Sequence, residues 1–138
     1  MSAGSRLELA DIGLEAIQEN DVARYRSLLM TIPQLREHCT PQELDRASAT
    51  LPRAIERLAD AIRSCHSLTD WKRASLVSIQ GGDVYERARE CKGQYARISA
   101  VVATYVVDRE RFEIHHRRAY LEGGESYLVS REPWCARH

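Results

Sequence analysis

The chain falls into two halves with different hydrophobic periods, and that division limits what it can fold into. Residues 5 to about 67 place apolar side chains at helical spacing, whereas residues 72 to 131 alternate like strands and are interrupted by turn residues. Helices followed by an antiparallel meander predict an α+β layer, with N-terminal helices packed on a curved, mainly antiparallel four-stranded sheet. No linker, internal repeat or low-complexity stretch divides the 138 residues, so a single domain over 1–138 is expected. A chain of this length buries roughly 68% of its unfolded surface and needs neither metal nor disulfide to fold.

The helical half is marked by caps. Ser5-Arg6-Leu7-Glu8 has the form of a capping box, and Leu7, Ala10, Leu14 and Ile17 then form one stripe. Asn20-Asp21 breaks this helix, and Asp21 caps a second one whose buried face is Val22, Tyr25, Leu28 and Leu29. Ile32-Pro33 ends it or starts a further short turn. Thr40-Pro41-Gln42-Glu43 is the clearest start signal, with a cap, a proline at the first helical position and a completed box. Leu44, Leu51, Ile55, Leu58, Ile62 and Cys65 keep phase across Pro52, which predicts one long helix over about 41–67. The alternative is two helices, with Thr50 as a second cap.

In the sheet half, residues 72–79 read as a strand whose Arg73, Ser75, Val77 and Ile79 set is the more apolar. Gly81-Gly82-Asp83 reads as a turn. Residues 83–91 fit a short helix or irregular link better than a strand, because Asp83 and Glu86 resemble a capping pair. Tyr95–Val107 reads as one long central strand, apolar on both faces toward its end. Asp108-Arg109-Glu110 is a turn, Arg111–Leu121 the next strand, Glu122–Glu125 a second turn and Ser126–Arg131 the last strand. Pro133 stops it, and Trp134 is expected to fold back on the sheet.

Composition excludes several classes of function. Hydrophobic content is 43% and charged content 29%, ordinary for a globular protein. Twenty basic and twenty acidic residues cancel, so the basic excess of a nucleic-acid binder is missing. Lys72 and Lys92 are the only lysines, an arginine bias that points to a GC-rich bacterial genome. No apolar run is long enough to span a membrane. Met1–Glu8 lacks the pattern of a secretory signal, so a cytoplasmic location is expected unless a signal peptide has been removed. Cys39, Cys65, Cys91 and Cys135 form no C-x-x-C pair and are expected to be buried thiols. His38-Cys39 and Cys65-His66 mirror each other like halves of a zinc site. One continuous helix would separate the two cysteines by roughly 39 Å, too far for a shared metal or for a Cys39–Cys65 disulfide. No cofactor motif occurs, and no cofactor or metal is expected.

Three places resemble the cystatin-like and nuclear-transport-factor-like α+β superfamily. They are the first-helix end Ala16-Ile17-Gln18-Glu19-Asn20-Asp21, Asp70-Trp71 entering the first strand, and the closing Gly123-Gly124-Glu125-Ser126-Tyr127-Leu128. The last is similar to the family's Gly-x-Trp-Tyr-Leu edge without its tryptophan. The resemblance implies helices seated in the concave face of a curved sheet. It also implies a function drawn from a range of enzymes, ligand binders, dimerisation modules and bacterial immunity proteins.

The chemistry-bearing cluster is Glu113-Ile114-His115-His116-Arg117-Arg118-Ala119-Tyr120. Alternation sets Phe112, Ile114, His116, Arg118 and Tyr120 on one face, and the first two mark it as inward. A histidine here is expected to titrate near neutrality and Arg118 can grip a carboxylate, so His116 and Arg118 with Tyr120, Tyr127 and Arg131 are the candidate ligand-binding set. Glu113, His115 and Arg117 face out as a candidate partner surface. The leading expectation is a non-catalytic protein-binding module of immunity or adaptor type, with no catalytic residue assigned and a homodimer through open sheet edges in view. The alternatives are a ligand-binding or enzymatic member of the same fold around His116 and Arg118, and a ribonuclease-type toxin using histidine and arginine for acid/base work.

Overall fold

The structure is a computed structural model that describes residues 5–29, 41–81, 84–87, 96–98, 100–117, 119–122, 126–129 and 132–138. For 84–87, 96–98, 119–122 and 126–128, and for Glu43, Arg46, Ala47, Thr50 and Leu51, it describes the backbone alone. Helix α1 spans Arg6–Gln18, and the Ser5 side chain accepts from the Glu8 amide at 3.1 Å as the capping box predicts. Its buried stripe is Leu9, Ala10, Ile12, Gly13, Ala16 and Ile17, while Leu7 is exposed and Leu14 half-buried. The stripe is thus rotated from the expected one: Leu9, Gly13 and Ala16 set its centre. Asn20 takes the left-handed conformation (φ 50°), and the Asp21 amide donates back to the Ala16 carbonyl at 2.7 Å. That pattern closes α1 in the way a C-terminal glycine usually does. Asp21 then accepts from the Arg24 amide and opens α2, Val22–Arg26, which buries Tyr25 ahead of Leu28 and Leu29.

The long helix is continuous. Helix α3 spans Pro41–Leu68 with Pro52 inside it, so the two-helix alternative does not occur. Pro52 is exposed, where water can take up the carbonyl that loses its helical bond. Ala54, Leu58, Ile62 and Cys65 are buried along one side. After α3, Trp71 enters the core within the single 3-10 turn Trp71–Arg73. Its indole donates to the Cys65 carbonyl at 2.6 Å, and its ring meets Tyr105 and Phe112 edge-on at 5.8 and 5.9 Å. The Asp70-Trp71 step therefore ties the end of the helical layer to the sheet.

The expected antiparallel four-stranded sheet is present and lies against the helices. Its order is β1 (Ser75–Gln80), β4 (Val101–Val107), β5 (Glu110–His116), β8 (Trp134–Arg137). A second antiparallel sheet orders β2 (Val84–Arg87), β3 (Ala96–Ile98), β6 (Ala119–Glu122) and β7 (Ser126–Val129). The two long strands read from the sequence are each divided between these sheets: Tyr95–Val107 becomes β3 and β4, and Arg111–Leu121 becomes β5 and β6. Residues 99 and 118, at these two divisions, lie outside the described ones. Val84–Arg87 is strand rather than the favoured helix or link; within 83–91 the other residues lie outside the described ones. Residues 134–137 do not merely fold back, because they pair with β5 as an edge strand.

Alternation in the first sheet is clearest on its inner face, and Thr104 on the other face of β4 is buried as well. Val101, Ala103, Tyr105 and Val107 on β4, and Phe112, Ile114 and His116 on β5, are all buried toward the helices. A two-residue turn at Asp108 and Arg109, both left-handed (φ 49° and 71°), joins the two strands with Val107 opposite Glu110. Strand β1 departs from expectation: Val77 is exposed, because a bulge between Leu76 and Ser78 breaks the alternation on this edge strand.

Candidate functional site

Strand β5 presents two different environments on its two faces. On the inner face His116 is fully buried. Its Nδ1 lies 2.8 Å from the Tyr25 hydroxyl, the two rings stack at 5.8 Å, and Gly13 of α1 covers the opposite side. Nε2 has no partner among the described residues. Burial, with a smaller contribution from His115, holds the imidazole down to about 4, and burial pushes the Tyr25 hydroxyl above its ordinary range. His116 is therefore a neutral core group that fixes the crossing of α1 over the sheet. Its sealed surroundings offer no access to a substrate or ligand.

Only glycine fits at position 13. A Cβ there would collide with His116 Cε1 and lie 3.1 Å from Nε2. A helical Gly→Ala change ordinarily stabilises by up to about 1 kcal/mol. Here the ring must be displaced from Tyr25, and overpacking of this kind costs about 1–3 kcal/mol. Gly13→Ala is therefore expected to destabilise by about 2 kcal/mol in urea unfolding, and the same change in a His116→Ala background to be neutral or stabilising. A more stable single variant would show that the ring withdraws freely.

The outer face of β5 is half-open. His115 Nε2 is 2.9 Å from Glu113 Oε2, and His138 Nε2 is 3.4 Å from Glu113 Oε1. Trp134, opposite His115 in register, rests on that imidazole at 4.5 Å between ring centres. Trp134 is 51% exposed, one of the exposed large apolar residues among the described ones. Arg117 donates from Nη2 to Glu132 Oε1 at 3.1 Å and from Nε to the Glu132 carbonyl at 3.3 Å. Glu113 and His115 are paired beside Trp134, which sequence reasoning had not assigned to the site, while Arg117 is held by Glu132.

Behind Trp134, between α3 and β8, is a cleft of about 320 Å³ lined by Arg57, Ser64, Arg117, Glu132 and the disulfide Cys65–Cys135. That disulfide corrects the expectation of buried thiols. Cys65 ends the buried stripe of α3 and Cys135 points inward from β8, which brings their Cα atoms to 5.2 Å. The pairing was hidden because β8 was not recognised as a strand, although Trp134-Cys135-Ala136-Arg137 alternates after Pro133. Cys65 is thereby unavailable to a metal, and the His66 Nδ1–H donates to the Ile17 carbonyl at 2.7 Å. His38, Cys39 and Cys91 lie outside the described residues.

The expected ligand-binding set is not brought together among the described residues. Arg118 and Arg131 lie outside them. Tyr120 and Tyr127 are placed only by backbone, with Tyr120 opposite Leu128 and Tyr127 opposite Leu121 in the second sheet. Comparison with protein-family models, with curated proteins and with solved structures gave no match for this chain.

Proposed function

We propose that this chain is a non-catalytic protein-binding module of the adaptor or immunity type, whose contact surface is the outer face of β5 and β8. The observation that carries the reading is Trp134, half-exposed and stacked on His115 amid Glu113, Arg117 and His138. Exposed tryptophan and arginine with neighbouring charges of both signs is the composition of an interface hot spot. Ordered ion pairs at its rim favour a specific, salt-sensitive partner. Helices α1 and α3 packed on one antiparallel sheet support the cystatin-like and nuclear-transport-factor-like reading of the fold. Among the described residues no helix is long and apolar enough to cross a membrane. The Cys65–Cys135 disulfide supports an oxidising compartment in place of the expected cytoplasm, where thiol buffers would reduce it.

The test is affinity capture of a stoichiometric partner from source-organism lysate, followed by measurement with purified components. Trp134→Ala is expected to weaken that complex more than tenfold, and Glu113→Ala to weaken it less and mainly in low salt, both with unchanged melting temperature. Light scattering of the isolated chain tests whether the partner is a second copy. A complex indifferent to Trp134→Ala, or no complex at either salt concentration, defeats the reading.

A further inference from the structure

The cleft behind Trp134 carries a charge imbalance. Its one carboxylate, Glu132, is already committed: it is nearly buried and holds Arg117 through both its side chain and its carbonyl. Arg57 reaches the same cleft from α3, is exposed, and makes no ion pair among the described residues. The cleft therefore presents one uncompensated guanidinium beside a hydroxyl (Ser64) and an indole (Trp134). It also borders a strand edge. The sheet order ends at β8, which pairs with β5 on one side and with no described strand on the other. The unpaired backbone groups of such an edge are matched by another extended chain, not by a small anion.

We propose that this cleft seats an extended acidic segment of a partner protein, with a Glu or Asp carboxylate on Arg57 and the segment's backbone beside the free edge of β8. The proposal rests on the protein-binding reading and supplies the chemistry of the partner. A guanidinium fork takes a carboxylate through two parallel hydrogen bonds, which fixes orientation as well as charge. Arg117 is neutralised by Glu132, so the charge offered to the segment is that of Arg57 alone. The indole at the mouth covers the contact and keeps water from it.

Trp134 is also the reporter. Trp71, the other tryptophan, is buried against Tyr105 and Phe112 and gives a constant background. The full chain is titrated at low salt with a capped peptide of three Glu-Thr repeats, with the matching Lys-Thr peptide and with free glutamate. A saturable change in Trp134 emission is expected with the acidic peptide alone, weakened at least tenfold by Arg57→Glu and by moderate salt. The Arg57→Glu protein keeps its melting temperature, because the side chain is exposed. Equal responses to both peptides, no response to the acidic one, or an affinity that Arg57→Glu leaves unchanged overturns the proposal. Saturation by free glutamate with equal affinity also overturns it, in favour of a small-ligand site. A captured partner that needs Trp134 but ignores Arg57→Glu defeats the acidic segment and leaves the protein-binding reading standing. Specific peptide binding with no cellular partner does the reverse.

Discussion

Removing the Cys65–Cys135 bridge is expected to cost about 4 kcal/mol of stability and to lower the melting temperature by roughly 10–15 °C. The bridge spans 70 positions of sequence, and a loop of that size confines the unfolded chain strongly. The folded state also depends on it locally. Strand β8 is four residues long, sits at the sheet edge, and is held to α3 through Cys135. Thermal melts of the oxidised protein, the reduced protein and Cys65→Ala/Cys135→Ala decide the matter. The last two are expected to coincide well below the first. Three coincident melts would mean that packing of β8 on β5 and α3 suffices alone.

Acid is expected to weaken the fold through His116. In the folded protein burial holds this imidazole down to about 4, whereas in the unfolded chain it titrates near its ordinary 6.5. Between those values the unfolded chain binds a proton at this position and the folded protein does not, so stability falls as pH drops from 6.5 to 4. Over that window the loss amounts to about 3 kcal/mol, and below pH 4 it levels off because both states are protonated. Nδ1 shares one hydrogen bond with the Tyr25 hydroxyl, and among the described residues Nε2 has no partner and no carboxylate meets the ring. Urea midpoints of the native protein and of His116→Gln, compared at pH 7 and pH 4, isolate this residue from the other titrating groups. Parallel pH profiles would show that His116 gains a proton without opening the core.

The fold class was legible because periodicity is a local property. Ser5, Asp21 and the Pro41 start all mark real helix beginnings, and the Leu58–Ile62–Cys65 stripe faces the core. The inward direction of His116 followed from Phe112 and Ile114 alone. What stayed hidden depends on partners distant in sequence. The need for glycine at position 13 carries no periodic signal, and the ring of His116 explains it. Cys65 and Cys135 gave no spacing signal, because the pairing is made by β8 docking on β5. The division of the two long strands between two sheets leaves no mark on the alternation pattern, which continues in phase through both. Trp134, expected to fold back on the sheet, is exposed on edge strand β8 within the candidate surface.

The Leu28 carbonyl accepts from the Val129 amide at 2.9 Å, and Leu29 forms a parallel bridge with Val129. A contact between positions a hundred residues apart has a consequence for the order in which the molecule is made. Helices α1 and α2 leave the ribosome before β7, so the backbone groups and the buried leucines after α2 find their match only when β7 emerges. Until then that edge is an open hydrogen-bonding template carrying apolar side chains, and loop closure over such a span is slow. Completion of this part of the fold therefore waits for β7, and the α2 end serves until then as a docking platform for the later strand.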